Sequence, residues 1–517
     1  MKKINSRYIL SSFLLMGLMA GCKKSTLDTV NPNSQTTQTF WLTASDAVKG
    51  VNAAYGSLTI DGSYMRFSPI VQDTRSDDAV SNSPWDQVYN MGKFNLNSSG
   101  DGCLFPWTAY YQGVLRANEV LKYVPDITMD QDLKNRVLGQ AYFLRGLYYF
   151  HLANFYKNVP MPLVPAASSD DYIVPQQQQA AVYAQVISDF KQAKELLPVS
   201  YKDLATIDAQ VGRATQGAAA AYLGKAYLFT KDFAAAATEF KFVIDLNAYQ
   251  LMGSYGDNFF LNAENNAESI FEVQFSLDAG GTVLGWGGDP VSGWGVTSAR
   301  GITYGASIFG YADVQPSTAL YNEYLEEKTT AGTDDPRLDV TIYYNKPGAM
   351  LYGKLFSEAY AGSSSLNALY CHKYENGETL TAEVWRSGIN ERLMRYADVL
   401  LMYAECLNEQ GNTTAAYPYI QQVRSRVGLP DLALTKPGLS QAEMREQIGH
   451  ERFLEFGLEG HRFDDIRRWG WLQDATKLAW LKARDSEFSS YATGREYLPI
   501  PLTEVQTNTS LIQNSGY

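Results

Sequence analysis

The sequence predicts a mainly α-helical protein: a scaffold of tetratricopeptide-type helical hairpins with irregular, loop-rich insertions. Three observations lead there. Apolar residues recur at helical spacing along much of the chain, three stretches share one pattern of large and small residues, and glycine- and aromatic-rich segments without helical period lie between them.

The chain opens with the basic MKKINSR, followed at residues 8–20 by the apolar YILSSFLLMGLMA and then Gly-Cys. So short an apolar run does not reach across ~30 Å of hydrocarbon as a helix, and residues 1–21 read as a signal peptide. Leu18-Met19-Ala20-Gly21-Cys22 resembles a bacterial lipobox, with Cys22 as the lipidated first residue of the mature chain. Residues 22–39 are polar and turn-prone, a tether. Cys103, Cys371 and Cys406 are too few and too widely spaced for a disulfide framework or a metal knuckle.

Ordered sequence begins at Phe40-Trp41. Ala47, Val48, Val51, Ala54, Tyr55 and Leu58 fall at helical spacing, and WTAYYQGVLRANEVLKYV predicts a further helix. Stretches at 135–156, 213–244 and 393–428 each read as two helices around a short polar turn, with Ala226 and Ala404 set among Tyr227, Phe233 and Tyr403. Small residues let helices approach closely, as tetratricopeptide hairpins require, but the copies follow no fixed period, which argues against a regular solenoid.

Residues 280–313 are glycine-rich with little helical period and carry Trp286, Trp294, Tyr304 and Tyr311. Residues 75–90, RSDDAVSNSPWDQVYN, set Asp77, Asp78, Trp85 and Tyr89 on a loop-like polar background. Flexible loops seldom hold tryptophan for packing alone, and loops on a rigid scaffold concentrate binding residues. Packing accounts for most of the 35 Tyr and 9 Trp, and a minority form an exposed stacking surface. With 45% hydrophobic and 19% charged residues the chain is a folded one. Its net charge is −12 although the first 21 residues carry +3, so the remainder carries −15, which argues against a nucleic-acid partner.

Residues 449–470, GHERFLEFGLEGHRFDDIRRWG, begin like a zinc-protease helix at His450-Glu451. Leu454 occupies the second ligand position and Gly460 the third, with His461 one residue late, so the ligand count fails. No cation loop is recognisable; no cofactor is expected, and a structural calcium has no motif behind it. Ser440 and Glu443 form a capping box for a helix ending near Gly457 and Gly460, and a second helix follows over Arg462–Trp469. The mixed-sign charges here predict interlocking ion pairs, since carboxylates paired to arginine stay ionised and make poor proton donors. There is no G-x-S-x-G elbow and no P-loop, and Asp77-Asp78 and Asp334-Asp335 read as solvated loop acids, not as a glycosidase pair. The expectation is a binding protein, not an enzyme.

Glu451-Arg452, Glu455-Phe456, Glu459-Gly460, Arg462, Asp464 and Arg468-Trp469 resemble the ER..EF..EG.R..D..RW signature of the SusD/RagB family. FWLTASDAVKGVNAAY, AYFLRGLYYFHLANFYKNVPMPL, DPRLDVTIYY, RYADVLLMYAECLNEQGN and the closing REYLPIPLTEVQTNTSLIQNSGY are similar to family segments in the same order. The resemblance implies four tetratricopeptide-like helix pairs with an irregular ligand-bearing portion. It also implies a lipid-anchored protein of the outer-membrane surface that binds glycan and serves as lid to a SusC-like TonB-dependent transporter; peptide uptake by the same architecture is the alternative. The implied divisions are 1–21 (signal peptide), 22–39 (tether), 40–275 (helical repeats) and 276–517 (long binding loop and signature helices). The family has no fixed binding motif, so loop context selects the candidates. Trp286, Trp294, Tyr304 and Trp85 are expected to stack on sugar rings, with Asp78 and Arg300 contacting hydroxyls.

Overall fold

Several helices start where the sequence supplies a cap. Thr43 and Asp46 make a reciprocal capping box for α1 (Ala44–Gly56). The short α2 (Phe67–Asp73) and α3 (Asp86–Gly92) precede the long α4 (Asp101–Tyr123) and α5 (Gln131–Tyr156), then α6 (Gln179–Leu196), α7 (Gln216–Phe229) and α8 (Phe233–Asp245). An irregular region containing α9 (Thr318–Glu326) separates these from α10 (Tyr396–Glu409) and α11 (Thr413–Arg426). The signature residues occupy α12 (Gln441–Glu455) and α13 (Arg462–Arg468), and α14 (Ala475–Arg484) follows. The computed structural model describes residues 40–277, 296–377 and 379–517; the signal peptide, Cys22, the tether, Trp286 and Trp294 lie outside the described residues.

α1 packs on α4, α5 on α6, α7 on α8 and α10 on α11, and each pair rests on the next through α4 on α5, α6 on α7 and α8 on α10. This is the expected tetratricopeptide-like scaffold of four pairs. The turns inside the second and third predicted hairpins lie where the sequence put them, with Lys231 and Gly411 at positive φ. The stretch 135–156 departs from expectation: it is a single helix, part of α5, whose partner α6 arrives after a loop. Gly139 and Gly146 lie inside α5 because a Cβ there would come within 3.0 Å of Leu197 and Phe190 respectively, so they mark close helix contact and no break. From Phe143 to Tyr156 α5 is buried on all faces, the pattern of a central helix.

Among the described residues the strands pair only in antiparallel twos. Two pairs matter below. β1 (Ala79–Ser81) meets β3 (Val314–Pro316) with Ala79 opposite Pro316, and β2 (Ser269–Val273) meets β4 (Glu391–Arg395) with Val273 opposite Glu391.

The capping box of Ser440 and Glu443 starts α12 as expected. Behind it the mixed-sign residues form a buried ion-pair network. Glu455 accepts from Arg337 (3.1 Å), Arg395 (2.9 Å) and Arg426 (2.5 Å), and Glu451 accepts from Arg337 (2.7 Å) and Arg424 (2.9 Å). Glu459 takes Arg395 and Lys373, each at 2.8 Å, while Arg452 donates to Asp398 (2.6 Å) and Asp465 (2.7 Å). Arg467 reaches Asp464 (2.8 Å), Arg468 reaches Asp465 (2.9 Å) and Glu405 (2.7 Å), and the Trp469 indole donates to Glu405 (2.9 Å). Burial alone would raise the Glu455 carboxyl, but the three guanidinium groups outweigh it and hold the group at about 2. His450, the first residue of the apparent zinc motif, is bonded through both ring nitrogens, Nδ1 to Glu323 (2.8 Å) and Nε2 to Glu327 (2.9 Å). Burial lowers its pKa, yet the two carboxylates lift it to about 9, and an imidazolium has no lone pair for a metal.

The same network corrects the reading of the paired acids. Asp77, Asp78 and Asp335 are buried, not solvated. Asp77 accepts from Arg462 (2.6 Å) and Arg484 (2.9 Å), and Asp335 is bound by Arg337 (2.7 Å). Asp77 and Asp78 lie in a buried turn just before β1, and the counter-charges of Asp77 come from far along the chain.

Candidate functional site

Among the described residues, one surface constellation of aromatic rings is built around a buried arginine. A π-turn at Asp61–Met65 delivers Arg66, and Gly62 within it passes so near the backbone that a Cβ would sit 2.1 Å from the Phe105 carbonyl oxygen. Arg66 donates from Nε to Asp61 Oδ1 (2.7 Å) and from Nη2 to Asp61 Oδ2 (2.5 Å), and both side chains are almost fully buried. Its guanidinium lies 5.0 Å from the ring centroids of Phe67 and Trp85 and 5.7 Å from that of Trp385.

Three separate segments bring the rings together. Trp85 precedes α3, its amide donating to Ser83 Oγ (3.0 Å), and its indole meets Phe67 edge to face at 5.4 Å. The β1–β3 pairing continues through the amide of Asn82, which donates to the Asp313 carbonyl (2.8 Å), and so ties the segment before Trp85 to the segment after Tyr311. Trp385 is placed by the bridge between Ser298 and Ser387 and packs on Met65, Ala299 and Ile302. Tyr311 closes the platform, edge to face with Trp385 at 5.5 Å. Tyr311 is 52% exposed, and Trp85 and Trp385 are half-buried, so each ring is fixed from beneath and open on another side.

Polar groups edge the rings. Burial raises the Asp313 carboxyl, while the Ser83 hydroxyl and the Arg66 charge pull it back down. Burial likewise raises Asp61 against the opposing pull of Arg66. Flat apolar faces beside the half-buried Asp313 carboxyl suit a ligand with both C–H faces and hydroxyls, while Asp61 is committed to Arg66. No group of three or more His, Cys, Asp or Glu side chains among the described residues could hold a metal ion.

Of the residues the sequence nominated, Trp85 is on this platform. Asp78, Arg300 and Tyr304 are not surface contacts. Asp78 is buried, accepting from the Leu458 amide (3.0 Å) and the Ser76 hydroxyl, and burial followed by the neighbouring Asp73 pushes it up to about 7. Arg300 is buried against Glu391, Asp73 (3.2 Å) and the Leu458 carbonyl (2.5 Å), and Tyr304 donates to Asp73 (2.8 Å). Their role is support: the short helix Arg300–Tyr304 carries Ile302, which backs Trp385. Trp286 and Trp294 lie outside the described residues. The Ser276 amide donates to the Val296 carbonyl (2.6 Å), two residues from the Ser298–Ser387 bridge. Sequence reasoning missed Trp385, Tyr311 and Arg66. Tyr311 belonged to the glycine-rich stretch already singled out, and Trp385 stands in the polar TAEVWRSG, a signal of the same kind. Nothing near Arg66 marks it.

Comparison with known proteins adds an independent line. A model described as the SusD family matches residues 267–517, and a second, described as starch-binding associating with outer membrane, matches residues 26–228. SusD-like protein P2 of Formosa agariphila is 27% identical over 534 residues, covering 99% of this chain and 100% of that protein. A SusD superfamily protein from Bacteroides vulgatus superposes with a TM-score of 0.81 at 28% identity, covering 93% of this chain and 100% of that one. A laminarin-binding SusD-like protein superposes at 0.72 with 26% identity, covering 92% and 100%. No helix among the described residues is long and apolar enough to cross a membrane. With matches that take in the helical scaffold, the signature helices and the closing segment, the chain belongs to the SusD/RagB family.

Proposed function

We propose that this protein is a glycan-binding lipoprotein of the outer-membrane surface, capturing oligo- or polysaccharide on the Trp85–Tyr311–Trp385 platform. The observation that carries the reading is the platform itself: Trp85 and Trp385 share one buried guanidinium, and Tyr311 stands edge to face with Trp385. Its support is a family relative of 26% identity that binds laminarin. In this reading the mature chain is anchored through Cys22 and hands its ligand to a SusC-like TonB-dependent transporter, catalysing no bond change. Trp286 and Trp294 are proposed as further ring contacts.

Affinity gel electrophoresis against laminarin and a panel of plant, microbial and host polysaccharides tests this, with a peptide digest as competitor. One glycan class should retard the protein without release of reducing ends. Trp85→Ala with Trp385→Ala should weaken that retardation about tenfold or more, as two stacked rings are removed. Retardation unaffected by the double variant moves the site elsewhere. Competition by peptides but by no glycan replaces the ligand class.

A further inference from the structure

A second aromatic hollow lies in the signature region and shares no residue with the platform. It encloses about 290 Å³ between the start of α8, the end of α10, α12 and the segment after α13, a volume near the lower end of small-ligand sites, ~300–1,000 Å³. Phe233, Trp469 and Trp471 supply its apolar wall, with Trp469 and Trp471 5.1 Å apart and inclined at 37°. Ile448 closes the floor.

Its charged walls are distinctive. Arg445 grips Glu409 through Nε (2.5 Å) and Nη2 (2.8 Å). Arg468 and the Trp469 indole both donate to Glu405, and Lys477 from outside the lining holds Glu446 at 2.6 Å. The lining thus sets Lys231, Arg445 and Arg468 against Glu405, Glu409 and Glu446, three charges of each sign. An ion entering such a site meets no net attraction and must break a pair to find a partner. A neutral hydroxyl compound does not: each paired carboxylate keeps free lone pairs to accept from it, and the arginines keep N–H groups to donate. The pairing also fixes these side chains before the ligand arrives, which lowers the ordering cost of binding.

We propose that this hollow is a second ligand site, for a neutral glycosyl unit of one or two rings, its C–H faces against Phe233 and the indoles and its hydroxyls on the Glu409–Arg445 pair. The proposal does not rest on the platform reading, because the site would serve whether or not Trp85 and Trp385 bind glycan.

The test uses the full-length chain in mild detergent, labelled with 5-fluorotryptophan, with the Trp469 and Trp471 resonances assigned by single substitution. The probes are methyl β-D-glucopyranoside, laminaribiose and N-acetylglucosamine, with glucuronate and arginine as charged controls, each to ~50 mM to cover millimolar affinity. A saturable shift of both resonances with at least one neutral sugar is expected. It should persist in the Trp85→Ala/Trp385→Ala protein, and Glu409→Gln, at a half-buried side chain, should weaken it about tenfold while leaving the platform intact. Resonances that no neutral probe moves overturn the proposal. So does movement by glucuronate or arginine alone, or a shift that disappears with the platform tryptophans.

Discussion

Arg66→Lys is the sharpest probe of the platform. The substitution keeps the charge and most of the side-chain length but removes the planar fork. Arg66 makes two charge-assisted hydrogen bonds to Asp61, and the pair is 4% and 3% exposed, so solvent does not substitute for what is lost. Lysine restores one of the two at best, a loss of ~1.5–3 kcal/mol. An ammonium displaced from Trp85 and Trp385 forfeits ~0.5–1 kcal/mol for each ring. The expected destabilisation is therefore ~2.5–5 kcal/mol, read from the urea midpoint at unchanged m-value. A cycle of Arg66→Lys, Trp85→Leu and the double variant then isolates the contact, with an expected coupling of ~0.5–2 kcal/mol. Coupling below ~0.5 kcal/mol, within ordinary additivity scatter, would refute the reasoning that this guanidinium holds the indole in place.

Other residues separate support from binding. Tyr304→Phe removes the hydrogen bond to Asp73 and should cost ~1–3 kcal/mol by urea unfolding, while ligand affinity on the platform stays the same because the hydroxyl is buried. Glu455→Gln removes the negative charge shared by three arginines and turns one of its two acceptor oxygens into a donor, and should cost ~3–5 kcal/mol, seen as a large drop in thermal midpoint or in yield of folded protein. His450 carries a pH signature. Its folded pKa of about 9 lies above the usual 6.5, so its stabilisation is complete below pH 6.5 and fades as pH rises through 9. Unfolding measured from pH 6 to 10 should show the gap between wild type and His450→Gln, ~3 kcal/mol at most, closing across that window.

What could be read from the chain was what is local. Capping residues at Thr43 and Ser440, small residues at Ala226 and Ala404, and turns at Lys231 and Gly411 all act within a few positions, and the helices they predict are present. The single-helix character of 135–156 was hidden because a glycine buried against a neighbouring helix looks, in sequence, like a glycine that ends one. Asp78 and Arg300 were misjudged for a related reason: both meet Leu458, and polar residues whose partners lie that far along the chain read as surface. Trp85 could be found because its setting announced it, whereas Arg66 could not, since its importance comes from the Trp85 and Trp385 rings that two other segments bring to it.

The long reach of the buried charges also sets a timetable. Asp77 is matched by Arg462 and Arg484, Glu268 by Arg395 and Arg426, the side chain of Arg75 by the carbonyl of Arg495, and the Phe155 carbonyl by the amide of Leu498. A chain that emerges N-terminus first must hold these groups unmatched until residues 395–498 follow, and unmatched charge resists burial. The early helices consequently have no finished resting place of their own. Severing the chain near residue 275 would leave each half carrying the other's counter-charges, and the protein commits to its shape late, almost at its last residues.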